Sequence, residues 1–130
     1  MFRLLIILFG VALPLTKTSF VLAGPLVDLA WDSNGSFSSN QSVASKKFLE
    51  ICGNLDSGDE IRWKFSSTNL TDFNIHYHAE GKVFYPDKRN KVLNASDTLK
   101  VSSSQGYCWM WSNPGKTTVE VKAQLQKVRP

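Results

Sequence analysis

Apolar and polar residues alternate with a period of two along much of this chain, and that alternation constrains its fold more than any other feature. Ile61, Trp63 and Phe65 alternate with Arg62 and Lys64, and Phe73, Ile75 and Tyr77 alternate with Asp72, Asn74, His76 and His78. Tyr107, Trp109 and Trp111 do the same with Cys108 and Met110, and Val119, Val121, Ala123 and Leu125 with Glu120, Lys122 and Gln124. Successive side chains of a strand point to opposite faces, so each run reads as a strand with one buried face. Residues 48–52 and 82–85 add short strands, the second ended by Pro86-Asp87, and Leu99 with Val101 mark another. Turn signals lie between them, at 56–59, 66–69, Glu80-Gly81, 102–106 and Asn113-Pro114-Gly115. No 11-residue window carries a helical stripe. About seven strands at this spacing predict an all-β, antiparallel two-sheet sandwich. The four tryptophans suit a small core, because each ring buries a large apolar area.

The two ends of the chain read differently from its middle. Arg3 precedes an apolar stretch over residues 4–15, and Val21-Leu22-Ala23 places small residues before Gly24, the pattern of a secretory signal cleaved after residue 23. Thr16, Lys17 and Thr18 interrupt the apolar run short of the roughly 20 residues that a spanning helix needs. The expected organisation is a signal peptide over 1–23, an irregular Ser-, Asn- and Gly-rich lead-in over 24–45, and one sandwich domain over 46–130. Removing Arg3 and Lys17 from the 15 basic residues leaves 13 against 11 acidic ones, a net charge of +2. The one cationic cluster, Lys88, Arg89 and Lys91, flanks a turn and is too sparse for a nucleic-acid footprint.

Cys52 and Cys108 are the two cysteines. In an oxidising compartment an even count in a small domain favours a bridge, with two buried free thiols as the alternative. Closing a loop of about 57 residues would stabilise the fold by roughly 4 kcal/mol in the chain-entropy model. There is no Cys-x-x-Cys, which argues against a redox enzyme.

Two segments carry a family likeness. Residues 61–86, IRWKFSSTNLTDFNIHYHAEGKVFYP, set an aromatic strand before an Asp-Phe-x-Ile strand, and residues 105–113, QGYCWMWSN, end a later strand in an aromatic-Cys-aromatic cluster and Asn. Together they resemble the GOLD (Golgi dynamics) domain, a β-sandwich of early secretory cargo receptors and some lipid-transfer proteins. In the cargo-receptor branch one cysteine precedes the strand matching Ile61 to Phe65, and a second lies in a Gly-aromatic-x-Cys-Phe-x-Asn stretch matching Gly106 to Asn113. Cys52 and Cys108 fall at those places, so the resemblance supports the bridge. It covers residues 48–125 and implies a free-standing module that contacts protein or lipid without catalysis. The cargo receptors continue into a coiled coil and a membrane span, whereas this sequence ends at Pro130, so the transport role is not carried over. The same segments are similar to small exported bacterial proteins. An immunoglobulin-like sandwich is the rival: Trp63 follows Cys52 by eleven residues, but the tyrosine-corner position holds Gly106, with Tyr107 adjacent.

Candidate chemistry centres on His76 and His78, which share one strand face with Asp72 and Asn74. With Met110 from a neighbouring strand they would suit copper, and with a carboxylate, zinc. The bland alternative is an ordinary exposed strand face. A blue-copper centre is excluded, since no histidine follows Cys108. Trp31, Tyr77, Tyr85, Trp109 and Trp111 are candidate binding-surface rings, with burial favoured for the Trp109, Trp111 pair and exposure for Trp31. Catalysis finds little support: no Gly-x-Ser-x-Gly turn accompanies the histidines, and Asp56, Asp59 and Glu60 sit in a turn where carboxylates are ordinarily solvated. Four Asn-x-Ser/Thr sequons occur, at Asn34, Asn40, Asn69 and Asn94, and bear on glycosylation only in a eukaryotic secretory protein. The reading is a monomeric or weakly associating, non-catalytic exported binding module, periplasmic or secreted. Its expected ligand is a protein or envelope component. The alternative is a periplasmic copper or zinc binder.

Overall fold

The computed structural model describes residues 25–128, and every regular element among them is a strand. These are β1 (Leu26–Asp28), β2 (Ser36–Val43), β3 (Phe48–Leu55), β4 (Glu60–Ala79), β5 (Lys82–Lys100), β6 (Gln105–Ser112) and β7 (Val119–Val128). The signal peptide expected over 1–23 lies outside the described residues.

The all-β expectation holds, but the arrangement is not two separate antiparallel sheets. All seven strands join one sheet in the order β1-β3-β6-β4-β7-β2, with β5 pairing β4 off that path. The sheet is mixed, because β1 runs parallel to β3 while the other pairs are antiparallel.

Strands β4 and β5 account for the difference. The breaks expected at 66–69 and at Pro86-Asp87 do not end strands: β4 runs for 20 residues and β5 for 19. The first part of β4, Glu60 to Ser67, pairs with β7, and the second part, Asp72 to Tyr77, pairs with β6. One long hairpin therefore belongs to both halves of the sheet, and the register shift between Ser66 and Thr71 marks the passage from one half to the other. Bulges bend a strand without cutting it. Pro86 is tolerated because β5 pairs only with β4 and the register shift between Ile75 and Tyr77 leaves it outside the ladder.

The curl brings the inward faces of the two halves together. Phe73, from the second half of β4, lies 4.9 Å from Trp63 and 4.7 Å from Phe65 in the first half, and 5.4 Å from Trp111 on β6. Around these rings the core takes in Leu49, Ile51, Ile61, Ile75, Trp109 and Val121. Trp109 is 0% and Trp111 1% exposed, so neither belongs to a binding surface. At the far end of the core, buried Asn113 donates from Nδ2 to the carbonyls of Val43 and Thr117 and accepts at Oδ1 from the Gly115 N–H. It thereby ties the β6–β7 turn to the end of β2.

The lead-in over 24–45 is not irregular, since it holds β1 and β2. Its alternation is weak: the inward residues of β2 are Phe37, Ser39, Gln41 and Val43, only two of them strongly apolar. Pairing with β7 along all eight residues supplies what periodicity does not.

Cys52 and Cys108 form a disulfide. They stand directly opposite one another on β3 and β6, with Cα atoms 4.1 Å apart, on the outer face of one sheet. The immunoglobulin-like alternative needs a bridge that pins two sheets with Trp63 packed on it. Here Trp63 lies among the inner rings, so that arrangement is absent.

Candidate functional site

The β4–β5 hairpin ends in the tight turn Glu80-Gly81. Both residues have positive φ, 54° and 70°, and Ala79 pairs with Lys82 across them. This is the two-residue turn whose twist matches that of the flanking strands, and glycine at its second position removes the steric cost. The β4–β6 ladder stops at Tyr77, and beyond it His78 and Ala79 pair only with β5.

Three consecutive apolar residues follow the turn and stay in solvent: Val83, Phe84 and Tyr85, 41%, 38% and 51% exposed. Their rings are nonetheless anchored. Phe84 stacks on Tyr77 at 5.1 Å, and Tyr77 packs on Tyr107 at 4.9 Å. The buried Tyr107 hydroxyl donates to the Ser103 carbonyl at 2.9 Å, and desolvation raises its pKa above the ordinary tyrosine value. Tyr85 points to the opposite face, 6.0 Å from the His76 ring, with the Lys88 ammonium 5.1 Å above it. A rigid, half-exposed aromatic set flanked by cations is the composition that concentrates binding energy in protein interfaces.

Beside Tyr85 lies the histidine face. His76 is buried; its Nδ1 lies 2.8 Å from Asn74 Oδ1 and its Nε2 3.6 Å from Glu50 Oε1. Burial holds its pKa below the ordinary histidine value; Glu50 opposes that shift and His78 adds to it. The exposed His78 ring sits edge-on at 5.4 Å. Met110 is opposite both Glu50 and Asn74 in register, so His76, His78 and Met110 do share one outer face. Among the described residues, the His, Cys, Asp and Glu donors that converge within 4.8 Å as a set of three are Glu50, Cys52 and Cys108. Both sulfurs of that set are joined to each other, and a metal is bound by thiolate.

The remaining candidates separate from this region. Trp31, the ring for which exposure is favoured, is half-buried against the core, with the Lys127 ammonium 5.6 Å from its ring centre. Tyr77 is half-buried, leaving Tyr85 as the exposed member of its pair. In the cationic cluster, Arg89 is engaged by Asp87 at 3.0 Å and Asp97 at 3.1 Å and lies over Trp63. Its pKa is raised, chiefly by the hydrogen bond to Asp87. The four sequon asparagines are all exposed. Sequence reasoning missed Val83 and Phe84. The signal was present in Val83-Phe84-Tyr85, where an apolar run replaces alternation and cannot be hidden by one face of a strand.

No family model matches the sequence, and no curated protein matches it. Among solved structures, the fold is similar to PliG of Aeromonas hydrophila, a periplasmic inhibitor of g-type lysozyme. The TM-score is 0.61 at 10% identity, over 80% of this chain and 96% of the inhibitor. It is also similar to PliG of Salmonella Typhimurium, TM-score 0.59 at 11% identity over 82% of this chain and 100% of that one. A mutant of the Escherichia coli inhibitor gives a TM-score of 0.55 at 12% identity over the same shares. What is shared at this identity is a small β fold, and these neighbours do not confirm the GOLD resemblance.

Proposed function

We propose that this chain is an exported, non-catalytic protein-binding module that docks through the end of the β4–β5 hairpin, and that its partner is a lysozyme-type glycoside hydrolase. The observation that carries the reading is the exposed Val83-Phe84-Tyr85 triplet rooted in the core through Tyr77 and Tyr107. Beyond Tyr77 the hairpin is a two-stranded ribbon with exposed apolar residues, an end that suits a cleft. Glycoside hydrolase clefts carry a pair of carboxyl groups, and Lys82 and Lys88 flank the triplet with complementary charge. The fold shared with three periplasmic lysozyme inhibitors supports the choice of partner. The disulfide and the signal-like first 23 residues support export.

Titration of purified protein into a g-type lysozyme acting on peptidoglycan tests it. Inhibition is expected, with Tyr85→Ala weakening it by about 10- to 100-fold, the range of an aromatic anchor. Unchanged lysozyme activity at saturating protein, or a folded Tyr85→Ala variant of full potency, would overturn the reading.

A second reading rests on the common face of His76, His78 and Met110: a copper or zinc site in the periplasm. It requires submicromolar metal affinity by calorimetry that His76→Ala abolishes.

A further inference from the structure

The other half of the sheet has an outer face of different chemistry. Its four strands run β5-β4-β7-β2, and their registers align outward side chains in rows. One row reads Thr98, Arg62, Gln126, Ser36; the next reads Ser96, Lys64, Gln124, Ser38; a third reads Asn94, Ser66, Lys122, Asn40. These twelve side chains comprise hydroxyls, amides and three cations, with no carboxylate and no apolar group. Acidic residues appear only beyond the ends, at Glu60 and Glu120.

The first two rows line a shallow groove of 530 Å³, and Ser38 and Gln124 carry it into an adjoining hollow of 340 Å³ beside Asn40 and Lys122. Asp97 also lines the groove, and its exposed carboxylate is held by Arg89 at 3.1 Å. Arg62, Lys64 and Lys122 make no ion pair among the described residues. At about 3.4 Å of rise per residue, Arg62 and Lys64 stand about 7 Å apart, and Lys122 extends the line to about 14 Å. Unpaired cations in a row are not needed to hold this sheet together, because the inner face does that.

We infer that this groove binds an extended, hydroxyl-rich polyanion of the anionic polysaccharide class. Arg62, Lys64 and Lys122 meet its carboxylates or sulfates, and the Ser, Thr, Asn and Gln side chains meet its hydroxyls. The absence of apolar side chains from the face decides the class. An acidic peptide would find no deep pocket for its anchors: of the apolar residues lining the groove, Trp63 and Leu125 are 3% and 2% exposed, and Phe37 is half-buried between Ser36 and Ser38. A single-stranded nucleic acid would find no exposed ring on which to stack its bases, since Trp63 is buried and Phe37 half-buried. Amide and hydroxyl rows are matched by a ligand that presents many hydroxyls of its own.

The test is calorimetry of the mature protein with polygalacturonate, neutral dextran, poly-L-glutamate and an oligothymidylate, at about 50 and 200 mM salt. Polygalacturonate is expected to bind about tenfold or more tighter than poly-L-glutamate or the oligonucleotide, and to weaken at the higher salt. The double variant Arg62→Gln, Lys64→Gln is expected to lose about tenfold or more while its tryptophan emission stays native. Tyr85→Ala is expected to leave this binding unchanged, which separates the groove from the hairpin end. Equal affinity for all three polyanions would overturn the ligand class. No binding of polygalacturonate, or binding indifferent to the double variant, would overturn the site.

Discussion

Phe73, in the second half of β4, is where the inner rings converge, since it touches two rings from the first half of β4 and one from β6. Truncating a fully buried aromatic removes its transfer free energy and leaves a cavity that rigid neighbours cannot close. Phe73→Ala should therefore cost about 3–5 kcal/mol, read as a lower urea midpoint at unchanged slope. His76 makes a different kind of prediction. Its folded pKa is depressed by burial, so as pH falls the unfolded chain takes up the proton first. Stability from this residue is full above the ordinary histidine pKa and is lost as pH falls from there through the depressed folded value. Urea midpoints measured between about pH 7.5 and 5 should fall for the native protein, and fall less for His76→Gln. Equal slopes in the two proteins would show that His76 is not held neutral by its surroundings.

At the scale of elements, the parallel strand β1 depends on a close approach. The Leu29 N–H donates to the Cys52 carbonyl at 2.8 Å just after the β1–β3 pairing ends. A Cβ on Gly53 would lie 2.7 Å from the Leu29 Cβ, inside van der Waals contact and too near the backbone for a rotamer change to relieve. Gly53→Ala should destabilise by about 1–3 kcal/mol. The loss should be local, so amide exchange of Leu26–Asp28 should accelerate while that of β6 stays slow. Uniform acceleration across the sheet would refute a local effect. The hairpin β4–β5 works by another principle. It is one element long enough to serve both halves of the sheet, so its turn and its exposed aromatic end are set by the same ladder.

For the whole molecule, the covalent constraint matters more than its surroundings suggest. Cys52 and Cys108 are 56 residues apart in sequence yet face one another across adjacent strands, so the bridge closes a loop that contains the whole of the long hairpin. Replacing both with alanine should cost about 4 kcal/mol by loss of loop-closure entropy, seen as a lower midpoint in urea. A cost below about 1 kcal/mol would mean that the unfolded chain is already compact. The two outer faces are then separate surfaces on one frame. One carries the exposed aromatic end of the hairpin, and the other is polar and cationic.

Strand-forming character, the identity of the core rings and the disulfide were legible in the sequence, because each is a local matter of alternation, residue type or cysteine parity. Trp63, Phe65, Phe73 and Trp111 alternate with polar neighbours and all end inside. The His76–His78 face was likewise legible, since side chains two apart on a strand must share a side. Which strands join was not. Ser66 to Asn69 and Pro86 carry the residues of breaks, and only pairing to β7, β6 and the opposite limb of the hairpin makes them bends in continuous strands. The same holds for β2, whose polar inward residues form a strand because β7 offers it a ladder. The groove of Arg62, Lys64 and Lys122 is a product of register between residues as much as 60 positions apart, and register is a property of the folded sheet rather than of any segment.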